Sequence, residues 1–464
     1  MRKIMFSLVA LSVVFVLLIS GCAPKATPVP AEPPAAEEPA AEEPAAEEPV
    51  AEEPTAEESP EEAEPVILRM AVFIIPAWMD YYTQKAEEFH EVYPNIMVET
   101  ELVGAEEYFV DMALQLAAGV GPDLIFVCNT VNFPEFAAAG YLVPLDSYVE
   151  QHGVDLADYV PEAIEGATWE GELYALPDSF HNGVSILYYN KTMFDEAGIA
   201  YPTDEWTYDD MAAAAAQLTK DTDGDGLIDQ YGWYPLEFTR NIAENATTMR
   251  SFGCSWMDES GTTSQADSPE CLEAIQFVYD NLDSAPMFDA TIGHDELFTA
   301  GQVAMLTQGP WVLEGYRSSL EALGMEVGTA KIPIGPAGRL SAGAAYGAHG
   351  ITVMSEHPEE AALWVEWLTN EDNVKDFATL NLSQPARLSS LETWVDNFPM
   401  EAPAAAAVEY GAPPLNNPAN LRKAEMSSLV FQTMQAVWLK EATPEEALSD
   451  LHVALQDLLD QPAP

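Results

Sequence analysis

The densest set of metal-type ligands in the chain is Asp221-Thr222-Asp223-Gly224-Asp225-Gly226-Leu227-Ile228-Asp229. Carboxylates at the first, third, fifth and ninth places, with Gly at the sixth, fit the opening of an EF-hand-like calcium loop. The chemistry expected is a hard cation held by oxygen. Asp221, Asp223, Asp225 and Asp229 would give carboxylates, and Leu227 its main-chain carbonyl. Position twelve is Gly232 where a bidentate Glu would stand, so a remote carboxylate has to complete the shell. The ion would be structural; a solvated turn is the competing reading, because Asp and Gly are ordinary turn residues. Catalytic constellations are missing. There is no nucleophile elbow, no HExxH and no CxxC. With 77 acidic residues, a carboxylate pair spaced for glycoside hydrolysis carries almost no specificity.

The first 64 residues do not read as globular structure, which leaves about 400 for two lobes of ordinary domain size. Arg2 and Lys3 precede an apolar run over 4–19, and Ile19-Ser20-Gly21-Cys22 follows. Small residues leading to a cysteine resemble a bacterial lipobox, in which the Cys22 thiol is acylated after export; a plain signal peptide needs no cysteine there. Several acyl chains hold a protein on a bilayer where one does not. Residues 23–65 are an Ala/Glu/Pro-rich spacer, with 14 Glu and one Lys in 23–64. Glutamate repulsion and frequent proline prevent a core, and at about 3.1 Å per residue the spacer would reach roughly 100 Å. The location expected is the extracellular face of the cell membrane, or the periplasm where an outer membrane exists. Outside the membrane a disulfide is allowed. Cys254 and Cys271 enclose a short polar loop and are the pair expected; Cys128 ends an apolar run as a core thiol. A formal net charge of −60 argues against nucleic acid and anionic lipid as ligands.

The elements that would position these groups begin with strand Ile67 to Ile75, helix Asp80 to Tyr93, strand Ile96 to Leu102, helix Glu106 to Ala118 and strand Asp123 to Cys128. This alternation predicts a parallel sheet with covering helices. Ligands of such sheets sit beyond the carboxyl ends of the strands, here at Trp78, Gly104 and Asn129-Thr130. Beyond Gly183 mixed strands give way to mostly helical segments. These include Tyr208 to Leu218, Pro269 to Leu282, Pro358 to Leu368, Met426 to Leu439 and a final pair over Thr443 to Leu459.

Several segments then add up: Tyr93-Pro94-Asn95-Ile96, Gly121-Pro122-Asp123-Leu124, Gly140-Tyr141-Leu142-Val143-Pro144-Leu145-Asp146, Tyr174-Ala175-Leu176-Pro177, Leu187-Tyr188-Tyr189-Asn190-Lys191, and Phe298-Thr299-Ala300-Gly301 running into Gly309-Pro310-Trp311. In this order and spacing they resemble the extracellular solute-binding proteins of family 1, sugar-binding partners of ABC importers similar to maltose-binding protein. The resemblance implies an α/β two-lobe periplasmic-binding-protein-like fold of type II with three interlobe crossovers. One lobe would be 66–178 plus 333–382, the other 179–332 plus 383–464. It further implies a monomer without catalysis that binds carbohydrate in the cleft, closes on it, and serves importer permease subunits and their cytoplasmic ATPase. A polyol, glycerol phosphate or peptide is the alternative solute.

By the same resemblance, Trp311 is the candidate for stacking on a sugar face, with a core tryptophan as the competing role. Trp78, Asn129 and Thr130 lie at strand ends. Asp178, His181 and Asn182 sit at the first crossover. Trp233 and Trp256 are expected near the cleft edge of the second lobe, and Tyr346 and His349 in a Gly/Ala-rich stretch. Arg387, in Gln384-Pro385-Ala386-Arg387, matches a position that often faces the cleft; a structural ion pair is the other reading.

Overall fold

The computed structural model describes residues 65–73, 76–103, 105–128, 132–235, 247–288, 293–341, 343, 345–411 and 422–462. Cys22, the spacer, Asn129 and Thr130 lie outside the described residues. Among the described residues no helix is long and apolar enough to cross a membrane.

The first lobe is built on β1 (Val66–Phe73), β2 (Ile96–Val103), β3 (Leu124–Cys128), β6 (Ala175–His181) and β10 (Ala345–Ile351), in the order β2-β1-β3-β10-β6. β1, β2 and β3 are parallel, as the alternation predicts, whereas β10 enters between β3 and β6 antiparallel to both. A small hairpin, β4 (Thr168–Trp169) with β5 (Glu172–Leu173), precedes β6. The helix after β1 spans Pro76–Val92 and buries Tyr82, Ala86 and Phe89 on the predicted face. It starts one turn earlier than the sequence suggests because Pro76 takes its first position, where a missing N–H costs nothing. Trp78 is therefore in the first turn of a packed helix rather than in a loop.

The second lobe has an antiparallel three-stranded sheet, β8-β7-β9, made of β7 (Ile186–Asn190), β8 (Met305–Gln308) and β9 (Val327–Lys331). Helices Tyr208–Leu218, Pro269–Asp280, Lys423–Trp438 and Pro444–Leu459 share one hydrophobic core with it. The last is one helix, not a pair, capped by the reciprocal Thr443–Glu446 hydrogen bonds. Cys254 and Cys271 form a disulfide, and Cys128 ends β3 half-buried outside it.

Two hydrophobic cores separate along the chain. One holds Leu68 to Phe180 together with Tyr346 to Phe377 and Ala386; the other holds Ile186 to Ala330 together with Ala378, Trp394 and the C-terminal helices. The first crossing thus falls between His181 and Ile186. The second falls near Ser341 rather than at 332, because Ile334 still pairs with Trp206 and Tyr208, and Ala337 with Ser251, on the second lobe. The third lies near 378–388, and it runs beside the first: the Phe180 N–H donates to the Gln384 carbonyl at 2.9 Å and the Ala386 N–H to that of Asp178 at 3.1 Å.

Candidate functional site: the junction of the two lobes

Trp311 follows β8 through Gly309-Pro310. It is 45 % exposed, and of the ten tryptophans it alone is strongly exposed. Its ring lies over Gly309, where an added Cβ would stand 1.9 Å from it. Only glycine leaves that space. The turn beneath is fixed twice: Gly309 N–H donates to Gln308 Oε1 at 3.0 Å, and Tyr188 O–H donates to the Gly309 carbonyl at 2.9 Å. The indole also meets His181, at the end of β6, with ring centroids 4.5 Å apart and the rings inclined at 56°. A flat aromatic surface and an imidazole, one from each lobe, therefore touch at a tilt where the chain first crosses. Such a pair can cover an apolar C–H face and supply a hydrogen bond beside it.

Asn182 comes next in the chain and is fully buried, its amide pressed against Gly411. Asp178 and His349 are brought together inside the first lobe, not at the cleft surface. His349 Nε2 lies 2.7 Å from Asp178 Oδ2, and Tyr82 O–H donates to the same oxygen at 2.6 Å. Burial and this carboxylate together push the Tyr82 phenol far above its ordinary range. Asp178 sits where the β6–β10 register slips between Gly347 and Ala348, which turns its side chain inward.

Five expected contacts are taken up by packing instead. Trp78 is buried among Tyr82, Phe126 and Phe377, with its indole N–H donating to the Leu382 carbonyl at 2.9 Å. Trp233 is buried and donates to the Asn281 carbonyl at 3.1 Å, while Trp256 is in the second core. Tyr346 is buried and donates to the Gly166 carbonyl at 2.7 Å. Arg387 takes the structural role: Nε donates to Thr369 O at 2.7 Å, Nη1 to Asp158 Oδ2 at 3.0 Å and Nη2 to Tyr159 O–H at 2.9 Å. Its guanidinium also lies 4.1 Å from the Tyr159 ring centroid. Burial works against ionisation of Asp158, yet bonds from Ser389 and Arg387 hold its carboxyl below the ordinary range. Trp78, Trp233, Tyr346 and Arg387 each satisfy a polar end on a nearby carbonyl or carboxylate, an option that sequence spacing does not display.

The aspartate loop brings three carboxylates together. Oxygens of Asp221, Asp223 and Asp225 all lie within 4.8 Å of one another, a spacing that one oxygen-bound cation can span. Asp229 is placed otherwise, accepting from Thr222 N–H at 2.9 Å and Thr222 O–H at 2.7 Å. Leu227 is exposed, and its N–H donates to Asp225 Oδ1 at 2.8 Å. Of the four expected carboxylates, three therefore lie in contact range and the fourth, Asp229, is engaged by Thr222.

Sequence reasoning missed Ser341 and Gln384. Both are buried on crossing segments, and neither carries a charge, ring or spacing that would single it out.

Two cores joined by three adjacent crossings, with an aromatic surface at the joint, define a two-lobe binding protein of type II. Residues 75–375 match the bacterial extracellular solute-binding protein family, and the chain belongs to it. A binding protein of Brucella abortus (strain 2308) is 24 % identical over 381 residues, covering 80 % of this chain and 87 % of that one. The arabinooligosaccharide-binding protein of Halalkalibacterium halodurans is 24 % identical over 327 residues, 66 % of this chain and 68 % of its own. Among solved structures, an ABC substrate-binding protein from Listeria monocytogenes in complex with cycloalternan superposes with a TM-score of 0.72 at 22 % identity, over 86 % of this chain and all of that one.

Proposed function

We propose that this chain captures a sugar or oligosaccharide between its lobes and hands it to the permease of an ABC importer, without catalysis. The observation that carries the reading is Trp311: a half-exposed indole laid over Gly309 and touching His181 at the first crossing. Relatives named for an arabino-oligosaccharide and bound to cycloalternan support carbohydrate as the solute class. The shortage of basic groups, 17 Lys and Arg in all, disfavours a phosphate-bearing solute. In this reading Cys22 carries the acyl anchor, the spacer is a tether, and the chain works as a monomer. One calcium ion, held by Asp221, Asp223 and Asp225, would brace the second lobe.

A thermal-shift screen against mono- and oligosaccharides tests the solute class, because a ligand of the native state raises the midpoint. Trp311→Ala is expected to weaken the responding sugar by tenfold or more in calorimetry while the unliganded midpoint stays put. Release of reducing ends from a polymer with no midpoint shift would move the chain to the enzymes.

A further inference from the structure

Among the described residues, four polar side chains at the lobe junction have no hydrogen-bond partner: Asn182 and Ser185 on the first crossing, Ser341 on the second and Gln384 on the third. Both amide atoms of Asn182 and Gln384 and both serine hydroxyls are enclosed, and all four residues are 0 % exposed. They belong to one neighbourhood. The Asn182 amide abuts Gly411, where an added Cβ would stand 1.9 Å from Oδ1, and Ser341 N–H donates to the adjacent Tyr410 carbonyl at 3.2 Å. The Gln384 carbonyl accepts from Phe180 on β6, and Ser185 N–H donates to the carbonyl of Gln308, the residue before Gly309.

Buried polar atoms are nearly always partnered, and the exceptions call for a cause. A bridging water needs room for its own sphere, and atoms so enclosed leave none beside them. In this arrangement of the lobes, neither solvent nor solute reaches the two amides. Each is a desolvated group without compensation. Placed on three different crossings, these groups shift relative to one another when the lobes rotate, and that rotation is the motion that can admit water.

We infer that Asn182, Ser185, Ser341 and Gln384 form a polar spring in the hinge. They disfavour the lobe arrangement described here and are relieved when the lobes turn and the junction hydrates. The unliganded chain is thereby biased toward the turned arrangement, and bound solute supplies the difference. The inference rests on the two-lobe binding reading, but its test needs no solute.

Donor and acceptor dyes at Val110 on the first lobe and Met287 on the second, both exposed, report the interlobe distance of the full chain by single-molecule fluorescence transfer. Gln384→Met keeps the side-chain volume and removes both unpaired atoms. The expected result is a shift of the unliganded population toward the interlobe distance of the arrangement described here, with a higher thermal midpoint. Any responding sugar should bind several-fold more tightly. Ser341→Ala should act in the same direction, more weakly, and provides a second reading if Gln384→Met fails to fold. An unchanged distance distribution with lost sugar binding would make Gln384 a solute contact and overturn the spring. A lower midpoint for both variants would overturn it too, by showing that the groups are partnered as they stand. If no sugar responds yet the distances shift as expected, the spring stands and the carbohydrate reading falls.

Discussion

Gln384 and Arg387 lie three residues apart on the third crossing, and their surroundings are opposite. Arg387 is buried with Nε, Nη1 and Nη2 each donating to an acceptor and an aromatic face beneath it. Gln384 is buried with neither amide atom bonded. The first fastens the crossing to the first lobe through Asp158, Tyr159 and Thr369. The second stands where the crossing passes toward the other lobe. A clamp that must open needs a fixed end and an end whose contacts are not all optimal in one position. The two residues show how one short segment supplies both.

Breaking the fixed end should give the largest effect. Arg387→Met takes one donor from the Thr369 carbonyl, which keeps Tyr159 O–H, and the only cation from the Asp158 carboxylate, which keeps the Ser389 N–H and O–H. Removing one partner of a buried pair costs about 3 kcal/mol, so the denaturation midpoint should fall clearly at unchanged m-value. The pair also has a pH signature. The Asp158 carboxyl is held below the ordinary aspartate value of 3.8, so its contribution is complete above that value and is lost as pH falls through the lower folded one. Arg387→Met should shrink that acid-side loss without abolishing it, because the hydrogen bonds from Ser389 also hold the carboxyl down.

Glu401 offers a sharper pH contrast. Burial raises its carboxyl from 4.5 to about 8, with a bond from Asn381 opposing the rise. The sign is therefore reversed. The native state holds a proton that the unfolded state releases, so stability is complete below about 4.5 and declines until pH passes about 8. Glu401→Gln should flatten that decline, with a higher thermal midpoint at pH 8 than the parent and little change at pH 4.

Gln384→Met should stabilise by about 1 kcal/mol, opposite in sign to Arg387→Met although the two sites share a segment. Equal signs would dissolve the comparison. The smallest effect expected is at the aspartate loop, which is remote from the crossings. Chelation in calcium-free buffer should lower the midpoint by a few degrees without altering the interlobe distances. No change in midpoint would leave the loop as a solvated turn.

The sequence carried the strand–helix alternation of the first lobe because apolar spacing records which face of each element is buried, as Tyr82, Ala86 and Phe89 show. It also carried the Gly309-Pro310-Trp311 turn, whose glycine is required by the ring above it. The lobe limits were less legible. Residues 333–340 stay with the second lobe through main-chain bonds to Trp206, Tyr208 and Ser251, which leave no mark on residue types.

The sequence alone thus determined the class of fold and the cysteine pair, and put Trp311 among the candidate contacts. Only the tertiary structure decided that Trp78, Trp233, Trp256, Tyr346 and Arg387 are spent on packing, and that Ser341 and Gln384 stand unpartnered at the joint. The reason is physical. Periodicity reports burial of a face, but whether a buried polar atom finds a partner depends on groups that the chain brings together from hundreds of residues away, as Trp78 meets Leu382.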